Sequence, residues 1–142
     1  MTIAFSTAAA THEVSLFRLY ALRALYLLIA VGQGSIQGPL LFQHGNWTLM
    51  SGVAHAMLAA LAAASVLGVI YPLKMLPLLF FELLWKTVWL AGIALPLWLA
   101  NRMDADTLET VWECAMGAIV PIVLPWGYIH AQYIRAPADR WR

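Results

Sequence analysis

Four apolar runs, each long enough to cross a bilayer as a helix, constrain this chain more than any other feature. A crossing helix needs about 20 mostly apolar residues, because each advances about 1.5 Å through hydrocarbon about 30 Å thick. Runs at about 16–36, 48–71, 76–100 and 107–133 meet that length. In lipid every backbone amide must find its partner within the protein, which leaves only helices or closed barrels. These runs are continuous, whereas barrel strands alternate over about ten residues. The fold class expected is therefore all-α: an integral membrane four-helix bundle, one transmembrane domain over residues 1–142, without a soluble domain.

Composition points to the same solvent. Of the 142 residues, 63% are hydrophobic and 11% charged, against about 25% charged in an average soluble domain. The net charge is +1 with no Lys/Arg cluster, so nucleic acid is not an expected partner. A single cysteine, Cys114, rules out an internal disulfide and any multi-cysteine metal site, and reads as a packed thiol. Residues 1–13 lack the basic start and short apolar core of a secretory signal. They read as a short, partly disordered tail.

The joints between runs carry recognisable punctuation. Gly38-Pro39 and His44-Gly45-Asn46 mark a first loop, with Asn46 or Thr48 available to cap the second helix. Tyr71-Pro72 closes that helix, since the residue before a proline is pushed out of helical geometry. Pro77 suits the first turn of the third helix, and Asp106 followed by Glu109 resembles a capping box for the fourth. Pro96, Pro121 and Pro125 lie inside runs, and each predicts a kink or a locally opened turn.

Orientation follows from the basic residues. With four crossings, Arg18, Arg23, Lys74, Arg135, Arg140 and Arg142 share one side, while Arg102 faces Asp104, Asp106 and Glu109 on the other. The positive-inside rule places both chain ends in the cytoplasm, and the inner (plasma) membrane is the expected location. Trp47, Trp98 and Trp112 fall at the outer boundary; Tyr20, Tyr71, Tyr133 and Trp141 fall at the inner one.

Polar residues within the runs are the candidates for function. A charge at mid-membrane costs about 2.5–3.5 kcal/mol on insertion scales, so it needs a partner. Glu82 and Lys86 are four residues apart on one helical face, with Trp85 and Trp89 continuing that face. Arg23 lies at similar depth on the first helix. These five residues read either as a self-neutralising structural pair with its neighbours or as a ligand site. A second set, His55, Glu113, Gln33, Gln37 and His44, falls in the outer half. It suits interhelical hydrogen bonding, a small-molecule or proton site, or, least well, a metal, because its members come from separate segments. No glycine-rich phosphate loop, nucleophile elbow or metalloprotease helix is present, so no catalytic residue and no metal site is assigned. The sequence names no cofactor. The small residues of the second helix, from Gly52 to Gly68, suggest the packed centre of the bundle.

An arginine-led first helix (Arg18, Arg23), a glycine/proline outer loop, and Tyr71-Pro72-Leu73-Lys74 leading into a helix with Glu82 resemble the DoxX-like group of small bacterial four-helix membrane proteins. The resemblance is one of layout and implies an association with membrane redox and sulfur chemistry, often as a subunit or partner. The leading expectation is binding or transport of a small apolar or amphipathic molecule (a quinone, lipid or weak acid) within the bundle. The alternative is an accessory subunit of a larger membrane redox complex, and the third an intramembrane enzyme. Expected partners are the lipid bilayer, a small apolar ligand, and a second copy or another membrane protein.

Overall fold

Every regular element among the described residues, 14–43 and 47–139 of the computed structural model, is helical. The elements are α1 (Leu16–Phe42), α2 (Leu49–Ile70), α3 (Leu76–Leu99), α4 (Ala105–Val123) and α5 (Trp126–Arg135). By length and apolarity, α1, α2 and α3 can each cross a membrane; α4 and α5 qualify together as one span bent by 74°. His44 and Asn46, the tail before Val14, and Arg140, Trp141 and Arg142 lie outside the described residues.

Local chemistry explains the boundaries. Ser15 caps α1 by accepting the Arg18 N–H at 3.3 Å, and Thr48 caps α2 by accepting that of Ser51 at 3.2 Å. Asp104 caps α4, accepting the Thr107 N–H at 2.8 Å. This cap precedes the Asp106–Glu109 pattern because Asp104 is the residue with extended backbone; Asp106 already lies in the first turn, where its charge favours the helix dipole. The two hydrogen bonds from Thr107 hold the Asp104 carboxyl below its ordinary pKa. α1 runs past the expected end near residue 36, through Gly38 and Pro39 to Phe42. Pro39 sits in the last turn, so only one intrahelical bond is forfeited.

The other prolines shape the later helices. Leu90–Ala94 forms a π turn in α3, with the Leu95 N–H bonded to the Leu90 carbonyl. Pro96 sits immediately beyond, where the widened turn accommodates its ring. Asn101 then closes α3 in the left-handed region (φ 52°), and the Arg102 N–H reaches back to the Leu97 carbonyl at 2.9 Å. At the α4–α5 elbow Leu124 is extended (ψ 133°), as a residue before proline prefers. Pro125 has no N–H for the Pro121 carbonyl; the Trp126 indole N–H donates to that oxygen instead, at 2.8 Å.

The core gathers at the end holding the start of α1, the α2–α3 turn and the elbow. It joins Leu22, Leu25, Tyr26 and Ile29 of α1 to Leu61, Leu76, Leu79, Val120, Leu124 and Ile129. Tyr26 lies under Gly68, where any Cβ would collide with its ring, and its hydroxyl donates to the Pro72 carbonyl at 3.1 Å. Thus α2 packs on α1 by one face (Leu61, Ala62, Ser65, Gly68), while Ala56, Ala60 and Ala63 are exposed. α2 is therefore a flank of this chain, not its centre: close approach at Gly68 fixes one face only.

Candidate functional site

The third helix carries its charges on the side facing α1 and α4. Lys86 Nζ lies 2.7 Å from Glu82 Oε1, and the Trp85 indole N–H donates to Glu82 Oε2 at 2.7 Å. Both carboxylate oxygens are thereby engaged, which is what a 2% exposed acid requires. No buried side-chain nitrogen or oxygen among the described residues lacks a partner.

This pair forms one wall of a cavity of about 220 Å³ between α1, α3 and α4. Gln33 on α1 and Glu113 on α4 face the same space, and the remaining lining is apolar: Leu25, Leu28, Ile29, Ile36, Met116, Ile119 and Val120 with Gly32 and Gly117. Leu28, Ile36, Met116 and Ile119 are exposed on the outer surface, so the cavity opens sideways between α1 and α4. Lys86 Nζ has one of its hydrogens committed to Glu82 and others to offer, while Glu113 makes no hydrogen bond or ion pair among the described residues. The polar end thus presents an ammonium and a carboxylate side by side with an amide.

Gln33 is also the end of a relay. His55 Nδ1 is 2.6 Å from Gln37 Oε1, and Gln37 Nε2 donates to Gln33 Oε1 at 3.3 Å. With the Gln37 oxygen accepting, His55 Nδ1 carries the hydrogen, and Gln33 is left with its Nε2 hydrogens to direct elsewhere. The Trp47 ring covers His55 at 4.8 Å between centroids.

The cavity therefore brings together Glu82 and Lys86 with Gln33 and Glu113, and reaches Gln37 and His55 through hydrogen bonds. It does not bring in the other candidates. Trp85 meets the cavity only through Glu82 and through Lys86, whose ammonium lies 5.7 Å from its ring centroid; its ring and Trp89 line a separate shallow groove with Phe81, Leu84, Val88 and Ile93. Arg23 lies over the Tyr20 ring, 5.5 Å from its centroid. His44 falls outside the described residues. Gly32 and Gly117 escaped the sequence reading, which looked for polar side chains. A Cβ at Gly32 would meet nothing within 4 Å, whereas one at Gly117 would lie 2.8 Å from Lys86 Cδ. Among the described residues no group of three His, Cys, Asp or Glu is placed to hold a metal.

Comparison with family models, curated proteins and solved structures finds no match to this chain. Function rests on the cavity alone.

Proposed function

We propose that this chain is a multi-pass membrane protein, crossing four times with both ends cytoplasmic, that binds the head of a small amphipathic molecule between α1, α3 and α4. One observation carries the reading: a charged pair, its acid buried, forms one wall of a cavity whose mouth is apolar and opens on the outer surface of the helices. Such a site is entered from lipid. At about 220 Å³ the space is smaller than the roughly 300–1,000 Å³ of sites that enclose a whole drug-sized ligand. It suits a polar head of one ring or a short branched group, with an apolar remainder left in the membrane. A quinone, a lipid or a weak acid has that form. Lys86 and Gln33 Nε2 supply donors for its oxygens, Glu113 an acceptor for a hydroxyl, and Glu82 fixes Lys86 in place.

Native mass spectrometry of the protein in mild detergent tests this directly. A stoichiometric small molecule that disappears on Lys86→Met supports the site; a bare chain, or the same ligand retained by the variant, overturns it.

The exposed small residues of α2 favour a second reading, an accessory subunit of a larger membrane redox complex. Small residues allow close helix approach in lipid, and here they are turned away from the rest of the chain. A partner retained through purification and lost on Ala60→Leu would support it.

A further inference from the structure

A second opening lies at the other end of α1, away from the charged pair. A groove of about 620 Å³ runs between the first turn of α1 and the α4–α5 elbow, with Ser15, Phe17 and Arg18 on one wall and Ile119, Ile122 and Tyr128 on the other. Arg18 is exposed, and no carboxylate among the described residues pairs with it. Among the described residues none of the lining is acidic. Ser15 Oγ accepts the Arg18 backbone N–H at 3.3 Å, which leaves its own O–H to donate outward.

The depth of the groove matters as much as its charge. The Tyr26 hydroxyl bonds the Pro72 carbonyl, so Tyr26 marks the level of the α2–α3 turn, where the chain leaves the bundle. Arg18 precedes Tyr26 by two helical turns, about 12 Å along the axis. On the bilayer reading this carries it past the α2–α3 turn to the headgroup side, while Phe17 and Ile122 beside it are 84% and 75% exposed and suit acyl chains. A guanidinium binds phosphate through paired hydrogen bonds and is weakly hydrated, which favours it at such a boundary.

We infer that this groove holds an anionic phospholipid, with Arg18 and Ser15 on the headgroup phosphate and the acyl chains along Phe17, Ile119 and Ile122. A zwitterionic lipid fits less well, because the described lining offers its ammonium group no carboxylate to match the guanidinium of Arg18. The inference rests on the bilayer reading but not on the occupant of the cavity above, which shares only Ile119 with this groove and has carboxylates of its own.

The test uses the full chain in mild detergent, titrated with phosphatidylglycerol, with phosphatidylcholine of the same chains, and with inorganic phosphate. Phosphatidylglycerol is expected to raise the unfolding midpoint and to survive as a bound mass in native spectra. Phosphatidylcholine should do neither at the same concentration. Arg18→Gln should weaken the phosphatidylglycerol effect at least tenfold, and Arg102→Gln, at the opposite end of the molecule, should leave it unchanged. Equal response to both lipids, or an Arg18→Gln protein that responds like the wild type, would overturn the inference. A response to inorganic phosphate as large as that to phosphatidylglycerol would also overturn it, replacing the lipid by a free anion. Loss of the cavity ligand on Lys86→Met with this response intact would separate the two sites.

Discussion

Gly32 and Gly68 do opposite work, and substituting them separates packing from binding. Gly32 lines the cavity with open space before it, so Gly32→Leu should fill the site while removing a helix-interior glycine that costs about 1 kcal/mol. The expected result is loss of the bound molecule with an unchanged or raised unfolding midpoint. Gly68→Ala should do the reverse. Its Cβ collides with the buried Tyr26 ring, and overpacking of that kind costs about 1–3 kcal/mol, readable by equilibrium unfolding in mixed detergent. The charged pair permits a third test. Removing one partner of a buried pair costs about 3–5 kcal/mol, because the other charge is left uncompensated, whereas removing both is often nearly neutral. Glu82→Leu should therefore destabilise more than Glu82→Leu with Lys86→Leu. If the double variant is stable yet still binds, the pair is purely structural. At this scale the sequence was readable where partners share a helix: four-residue spacing is enough to join Glu82 to Lys86. It was silent about Gln33 and Glu113 meeting them, because that depends on how three helices are rotated about their axes. The tryptophans show the same limit. Trp85 and Trp89 continue the charged face by spacing, yet their rings fall on the adjoining outward groove.

The elements are ended by chemistry that can be switched. Asp104 accepts the Thr107 N–H and its pKa is lowered by that bond, so its contribution is present above the ordinary carboxylate pKa and fades as pH falls through the lowered value. Protection of the Thr107 amide, the slowing of its exchange relative to an unprotected amide at the same pH, should therefore fall on acidification. Asp104→Asn, which keeps an acceptor without a titrating proton, should lose that pH dependence. The elbow offers a larger change. Pro125 denies the Pro121 carbonyl its helical partner and holds Leu124 extended, so Pro125→Ala should let α4 run on into α5. The consequence is measurable at Phe80 and Tyr133, whose rings meet edge-to-face at 5.4 Å. Cysteines at these two positions, in a Cys114→Ser background, should be joined by a short bifunctional thiol reagent, and Pro125→Ala should abolish that cross-link. A proline in a helical run announces a break, but not its size. The 74° angle reflects where α5 packs, through Ile129 and Tyr133, and no local signal encodes that docking. The π turn before Pro96 and the unbroken run of α1 through Pro39 are likewise two outcomes of one residue type, and both prolines lie three residues from the helix end, so position along the helix does not separate them.

The molecule as a whole separates its charges by end. Arg18 lies in the groove at the elbow and Lys74 in the α2–α3 turn, whereas at the far end Arg102 and Asp104 join α3 to α4, with Asp106 and Glu109 in the opening turns of α4. α4 alone, with its 19 residues, rises about 28 Å, close to the hydrocarbon thickness. If α4 stands along the membrane normal, the bend turns α5 toward the membrane plane, with Trp126, Tyr133 and Ile134 exposed to the interface and Ile129 held in the core. That arrangement makes the fourth crossing complete at the elbow, and it predicts a labelling pattern in intact cells. In a Cys114→Ser background, Met103→Cys should react with a membrane-impermeant thiol reagent added outside. Tyr71→Cys and Asp139→Cys should react only after permeabilisation. The inverse pattern would reverse the sidedness and leave four crossings in place. Reaction of Met103 and Asp139 from the same side would instead mean that α4 and α5 enter and leave by one face as a re-entrant hairpin. The elbow groove would then lie away from the headgroups that Arg18 is placed to meet.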